Sequence, residues 1–273
     1  MKDNLINNAI KWAVKLGFSE EWLAKISDFA PAAEFVPFDP KNKTLFEKKD
    51  MMLNLVCYLN YCDLAEKFYQ EKGISENILI DTLLDIKIWA YRYKEIFGGY
   101  GVKEINWLHN NIECNIFRVG RLQYKFGKSM LFSWKYRMKI AEKILEIHIP
   151  RGEKLQFSEC IESFKQAKVF FATFFPEYRY RHITCGSWML DNKVLPKILS
   201  ADSNIISFQN AFNVLITVPS RDCIRFVFGE HKNKKNLDDF EPKTSFQAKL
   251  IEHICSGKYN YVGYGILKEE FKK

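Results

Sequence analysis

No stretch of this chain approaches the roughly 18 to 20 consecutive apolar residues that span a bilayer. Its first residues, MKDNLINNAIKWAV, lack the apolar core and small-residue cleavage site of a secretory signal. The sequence therefore reads as cytoplasmic, with no membrane partner expected. Proline is scarce, eight in 273 residues, and neither a repeat nor a low-complexity segment occurs, which speaks against disordered and fibrous classes. The seven cysteines (57, 62, 114, 160, 185, 223 and 255) are odd in number and lack paired CxxC spacing, so no disulfide framework and no metal site is expected. Positive charge is in excess, +8 at pH 7, but it is scattered. Its densest cluster, HKNKKN at 231 to 236, reads as a solvated loop, and no basic stripe with interleaved aromatics marks a nucleic-acid partner.

What the chain does have is apolar bulk. Hydrophobic residues make up 47% and aromatic residues 15%, including 23 Phe and 13 Tyr, enough for a large core in one domain or two. Residues 1 to 97 carry helical periodicity. Leu5, Ala9, Ile10, Ala13 and Val14 share a stripe that stops at Gly17, and Ser19 stands as N-cap before EEWLAKI. Longer patterns over about 45 to 71 and 75 to 97 stop at Gly73 and at Gly98 with Gly99. FGGYG at 97 to 101 then divides a helical domain, 1 to 100, from a second domain, 101 to 273.

In the second domain NIFRVGRLQYKF (115 to 126) reads as a strand with a bulge at Gly120, and KILEIHIP (143 to 150) as a strand closed by proline. A helix follows over 158 to 175 with Ser158 as N-cap, then a strand over 180 to 190. Together these form a βαβ unit whose strands lie parallel through a right-handed crossover. A short helix near 192 to 199, strands over 204 to 218 and 223 to 229, a helix over 244 to 257 and the glycine-spaced YVGYGIL complete an α+β fold.

Candidate chemistry gathers in the βαβ unit. The loop PRGEKLQF, 150 to 157, leads into a helix N-terminus that favours an anion, with Arg151 and Lys154 adding charge and Gly152 close approach. In YRHITCGSWMLD, 180 to 191, strand alternation puts Arg181, Ile183, Cys185, Ser187 and Met189 on one face and His182, Thr184, Gly186 and Trp188 on the other. His182 and Cys185 therefore make neither a nucleophile and base pair nor a metal half-site within the strand. Either face of that strand could oppose Ile144, Glu146 and His148 on its neighbour, where a carboxylate and an imidazole would serve as general bases. The plainer readings are a buried thiol, a satisfied core histidine and a core tryptophan, while Arg118, Arg121 and Lys125 are read as polar residues on the wet face of a strand.

The segments WLHNNIECNIFRVGRLQY (107 to 124), LEIHIPRGEKL (145 to 155), TCGSWML (184 to 190), SNIISFQNAF (203 to 212) and HICSGKYNYVGYGIL (253 to 267) resemble, in order and spacing, bacterial acyltransferase-domain proteins. These have a helical N-terminal domain and a C-terminal domain similar to the GNAT N-acyltransferases. The resemblance implies a helical domain followed by a mixed sheet flanked by helices, with two parallel strands splayed to admit the pantetheine arm of acyl-CoA or acetyl-CoA, or of an acyl carrier protein. It implies direct attack by an amine or hydroxyl on a small-molecule or peptide acceptor, with backbone donors polarising the thioester. On that basis His148 or Glu146 is expected as base, Cys185 and Ser187 as acceptor-positioning groups with a covalent route through Cys185 as the alternative mechanism, His182 as a further catalytic candidate, and Tyr264 as acid. Ile149 ends the arm-binding strand, while Arg151, Gly152, Lys154 and Ser158 meet the donor phosphates. This chain departs from the Q/R-x-x-G-x-G/A phosphate loop, having one glycine and a proline there, so a non-catalytic binding module is the alternative function.

Overall fold

The computed structural model describes residues 2–29, 35, 37–39, 50–229, 237 and 240–272. The cluster at 231 to 236 and the first residues of the helix expected from about 45 lie outside the described residues. The chain forms two compact units, Met1–Val119 with Pro150–Gly152, and Gly120–Ile149 with Glu153–Lys273. Among the described residues no helix is long and apolar enough to cross a membrane.

The first unit holds helices α1 (Lys2–Lys15), α2 (Glu20–Ser27), α3 (Met51–Lys72), α4 (Glu76–Phe97) and α5 (Ile105–Ile112), and strand β1 (Ile116–Val119). The stops are the glycines expected: Gly73 and Gly98 cap α3 and α4 with φ of 68° and 73°, the left-handed region that glycine enters without strain. Asp50 caps the other end of α3, its carboxylate accepting from the Met52 amide at 2.8 Å. On α1 the buried stripe is Ala9, Trp12, Ala13 and Leu16, whereas Val14, expected inside, is 57% exposed. Gly101 does more than break periodicity. A β-carbon there would lie 2.2 Å from the Met51 carbonyl carbon, and this close approach lets the Val102 amide donate to Met51 O at 2.9 Å.

The second unit is a mixed sheet with helices. Its strands are β2 (Leu122–Lys128), β3 (Lys143–His148), β4 (His182–Ser187), β5 (Phe212–Pro219) and β6 (Tyr261–Leu267), running in the order β2-β3-β4-β6-β5. Helices α6 (Phe157–Phe174), α7 (Leu195–Ile198), α8 (Asn204–Asn210), α9 (Asp222–Phe228) and α10 (Ser245–Cys255) complete it. β3 and β4 are parallel with α6 as their crossover, as the sequence implied, and every other pairing in this unit is antiparallel. One sheet face is dry. Phe126 packs edge-on against Phe171 and Phe175, the Tyr124 hydroxyl meets Ser163 Oγ at 3.1 Å, and Cys160, Phe164 and Ala167 of α6 are fully buried.

Several expected boundaries change. The 115 to 126 strand is interrupted by a turn at Gly120 and Arg121, with φ +66° at Gly120, so the glycine turns the chain instead of bulging it. The expected strand over 204 to 218 starts as α8, because the Ser203 hydroxyl accepts from Ile206 N at 3.3 Å and caps a helix; the strand begins only at Phe212. CIRFVFG, expected as a strand, is α9: Cys223, Ile224 and Phe228 are buried together in a local cluster at helical spacing. The strand expected over 180 to 190 stops at Ser187, whose hydroxyl accepts from Met189 N at 3.1 Å and starts a 3-10 turn, Trp188–Leu190. Ser158 is not the N-cap of α6. The helix starts at Phe157, and the first amide is held from far along the chain by Asn204 Oδ1 at 3.0 Å.

Candidate active site

Register decides which polar groups meet. β3 and β4 align Ile144 with His182, Leu145 with Ile183, Glu146 with Thr184 and Ile147 with Cys185. Paired residues share a face, so Ile144, Glu146 and His148 lie with His182, Thr184 and Gly186 on the face away from α6. The parallel ladder stops at Ile147 and Cys185, while β3 goes on pairing with β2 through His148 and β4 with β6 through Ser187. Each inner strand thus keeps its outer neighbour and gives up the other. That is how two parallel strands part.

At this parting opens a cleft of about 210 Å³. Glu146, His148, Thr184 and Tyr264 line its polar end, and Leu131, Met138, Ile144, Leu215 and Ile266 its apolar end. Glu146 Oε2 lies 3.0 Å from Lys125 Nζ and 3.7 Å from His148 Nε2. Lys125 stands opposite Glu146 in the β2–β3 register, which is why the pair forms. Burial pushes the Glu146 carboxyl up, but its interactions with His148 and Lys125 pull it further down and leave it below the usual carboxylate range. The ionised carboxylate thus stands beside the His148 imidazole at the cleft.

Two glycines make room for this arrangement. A β-carbon at Gly127 would sit 2.5 Å from Glu146 Oε1, and one at Gly186 would sit 2.7 Å from Tyr264 Cε1. The Glu146 side chain therefore lies across β2, and the Tyr264 ring lies across β4, on the His148 side. Tyr264 is partly exposed and directly opposite Gly186.

Not all expected site residues come together. Cys185 is among the residues lining the cleft, but alternation along β4 puts its side chain on the other face with Ile147, toward Cys160 of α6, and burial pushes its thiol up to about 12. Ser187 faces its own turn as a cap. His182 is buried beside Glu142, 3.5 Å between His182 Nε2 and Glu142 Oε1, outside the cleft lining. Of the loop residues, Ile149 and Arg151 are half-buried and Gly152, Lys154 and Ser158 exposed. Gly152 has φ +98°, and a β-carbon there would meet nothing within 4 Å, so its glycine serves backbone conformation and not close packing. Arg121, read as a wet-face residue, is buried and donates to the carbonyls of Glu153 at 2.9 Å and Lys154 at 3.3 Å, which fixes the approach to α6.

Comparisons with known proteins give the family and the fold. Residues 15–114 match the N-acyltransferase N-terminal domain and residues 116–267 the GNAT-like C-terminal domain. The fold is that of crystallised acyltransferases. A mutant acyltransferase in complex with octanoyl-CoA is similar at 20% identity and TM-score 0.78, over 96% of this chain and 88% of that one. An acyltransferase in complex with decanoyl-CoA and teicoplanin is similar at 21% identity and TM-score 0.78, over 95% and 87%. An acyltransferase in complex with CoA and 10C-teicoplanin gives 24% identity and TM-score 0.70 over 79% of this chain, which spans 66% of that one. No curated protein sequence matches the chain. With over half its length in the second domain match, the chain belongs to the family that joins an N-acyltransferase N-terminal domain to a GNAT-like C-terminal domain.

Proposed function

We propose that the protein transfers an acyl group from acyl-CoA to an amine or hydroxyl of a small-molecule acceptor by direct attack on the thioester. The observation that carries this reading is the convergence of Lys125, Glu146, His148 and Tyr264 at the point where β3 and β4 part. The related acyltransferases crystallised with octanoyl-CoA and decanoyl-CoA support the donor, and the one with teicoplanin supports a small-molecule acceptor. The apolar end of the cleft favours an acyl chain longer than acetyl.

The roles follow from the geometry. His148 takes the proton from the acceptor as its nitrogen or oxygen bonds to the acyl carbon, and Glu146, held by Lys125, stabilises the imidazolium. Glu146 itself is a poor base because its own ionisation is favoured. Main-chain N–H groups beyond the end of the β3–β4 ladder polarise the thioester carbonyl. The carbon–sulfur bond then breaks, and Tyr264 gives its phenolic proton to the departing thiolate. Burial of Cys185 disfavours a covalent route through that thiol.

Release of free CoA thiol from decanoyl-CoA, with a panel of small primary amines and aminosugars as acceptors, tests the reading. The wild type should release thiol, and His148→Asn should be slower by about 10²- to 10⁴-fold while still binding CoA. The competing reading is a non-catalytic acyl-CoA-binding module, favoured by the single glycine of the 150 to 157 loop and by the first α6 amide already engaged by Asn204. Calorimetric binding of decanoyl-CoA with no acyl transfer to any acceptor would decide for the module.

A further inference from the structure

Between β2 and β3 the chain makes a small hairpin, 129 to 142. Its base is tied by Ser129 N to Glu142 O at 2.8 Å and Ala141 N to Ser129 O at 2.7 Å, and higher up Ser133 and Met138 exchange both backbone bonds at 3.0 Å. The tip is the turn 134 to 137, closed by Arg137 N to Trp134 O at 3.1 Å. One side of the hairpin is accounted for: Leu131, Tyr136 and Met138 pack on Ile144, Ile266 and Leu215 at the apolar end of the cleft.

Four further apolar side chains of the hairpin are exposed. Met130 is 90% exposed, Trp134 86%, Ile140 67% and Phe132 54%, with Phe132 and Trp134 edge to face at 5.5 Å. Between and beside them stand Lys128, Lys135, Arg137, Lys139 and Lys143, all exposed, against one acidic residue of the hairpin, Glu142. Isolated exposed apolar residues need no explanation, but four on one ordered hairpin, interleaved with five cations, do.

We infer that this hairpin docks on an anionic phospholipid surface, Trp134, Phe132, Met130 and Ile140 entering the interfacial layer and the cations meeting lipid phosphates. Two features favour lipid over an acidic protein partner. The apolar side chains protrude from a narrow hairpin and offer no broad complementary patch, and four of the five cations are lysine, which protein interfaces deplete and polybasic membrane sites use. Docking of this kind needs no membrane span, so the absence of long apolar runs says nothing against it. Because Met130, Leu131 and Met138 also line the cleft, the bound hairpin holds the cleft at the lipid surface. The inference stands apart from the acyl-transfer reading and is tested without turnover.

The experiment is co-sedimentation of the full chain with vesicles of phosphatidylcholine alone, or carrying about 30% phosphatidylglycerol. Binding should require phosphatidylglycerol, and removing one cation, as in Lys135→Gln, should weaken it about fivefold. The variant M130S/F132S/W134S/I140S should lose binding at least tenfold while keeping its circular dichroism and melting temperature, since none of the four is buried. Bromine-labelled lipid should quench wild-type fluorescence more than that of Trp134→Phe. Equal sedimentation of the quadruple variant overturns the inference. So does a wild type that ignores anionic vesicles, whether it instead forms a dimer through this face or binds an acidic protein there.

Discussion

Glu146 shows how one side chain is set by three neighbours, two on the adjacent strand β2 and one on its own strand β3. Lys125 and His148 hold it ionised, and Gly127 leaves the space it lies in. Its carboxyl is depressed in the folded chain, so the stabilisation from its ionised form is complete above the carboxylate range of an unfolded chain and is lost as pH falls through the lower folded value. Glu146→Gln should therefore unfold at lower urea than wild type at about pH 7, with the difference shrinking toward about pH 3. Cys185 supplies the contrasting case. A buried thiol held near 12 is neither nucleophile nor metal ligand at neutral pH, so Cys185→Ala should keep acyl transfer within about twofold, at a stability cost of about 1 kcal/mol for the cavity. Mass spectrometry of the intact protein should find no acyl adduct on Cys185 during turnover. The alternation that separated His182 from Cys185 was legible in the sequence because side-chain direction along a strand is a local property. Lys125 as partner of Glu146 was not, because nothing local fixes which residue of one strand stands opposite which residue of another.

At the scale of elements, strand glycines divide into those that spare a side chain and those that spare a backbone. A β-carbon at Gly186 would strike the Tyr264 ring, so Gly186→Ala should displace the ring, lowering acyl-transfer kcat with a modest loss of stability, about 1–2 kcal/mol by urea denaturation. Gly263 is different. A β-carbon there would lie 2.1 Å from the Leu190 carbonyl oxygen, a backbone atom that cannot rotate away, so Gly263→Ala should cost about 3 kcal/mol or more, or leave the protein insoluble. Helix ends in the first unit were the most readable part of the sequence, since Gly73 and Gly98 act within one turn of the chain. The α6 start was misread for the opposite reason: its cap, Asn204, arrives from 47 residues away. CIRFVFG was misread as strand because a short apolar run fits either period until its packing partners are known.

At the scale of the whole molecule the cysteines give a compact test of the fold. Six of the seven are buried and Cys255 is partly exposed, and none is disulfide-bonded. The denatured chain should titrate seven thiols with Ellman's reagent, and the native chain should react fast at no more than one, Cys255. Seven fast-reacting thiols in the native protein would contradict the packed cores of both units.

The sequence by itself determined what travels a few residues along the chain: the helices before Gly98, their glycine stops, the parallel βαβ unit and the ordered motifs of the family. Only the tertiary structure decided which face of β4 meets Glu146 and His148, where β3 and β4 part, that Arg121 grips the loop before α6, and that the hairpin 129 to 142 exposes apolar side chains. Periodicity and capping are local, whereas register, the end of a ladder and the exposure of a side chain are set by residues tens of positions away.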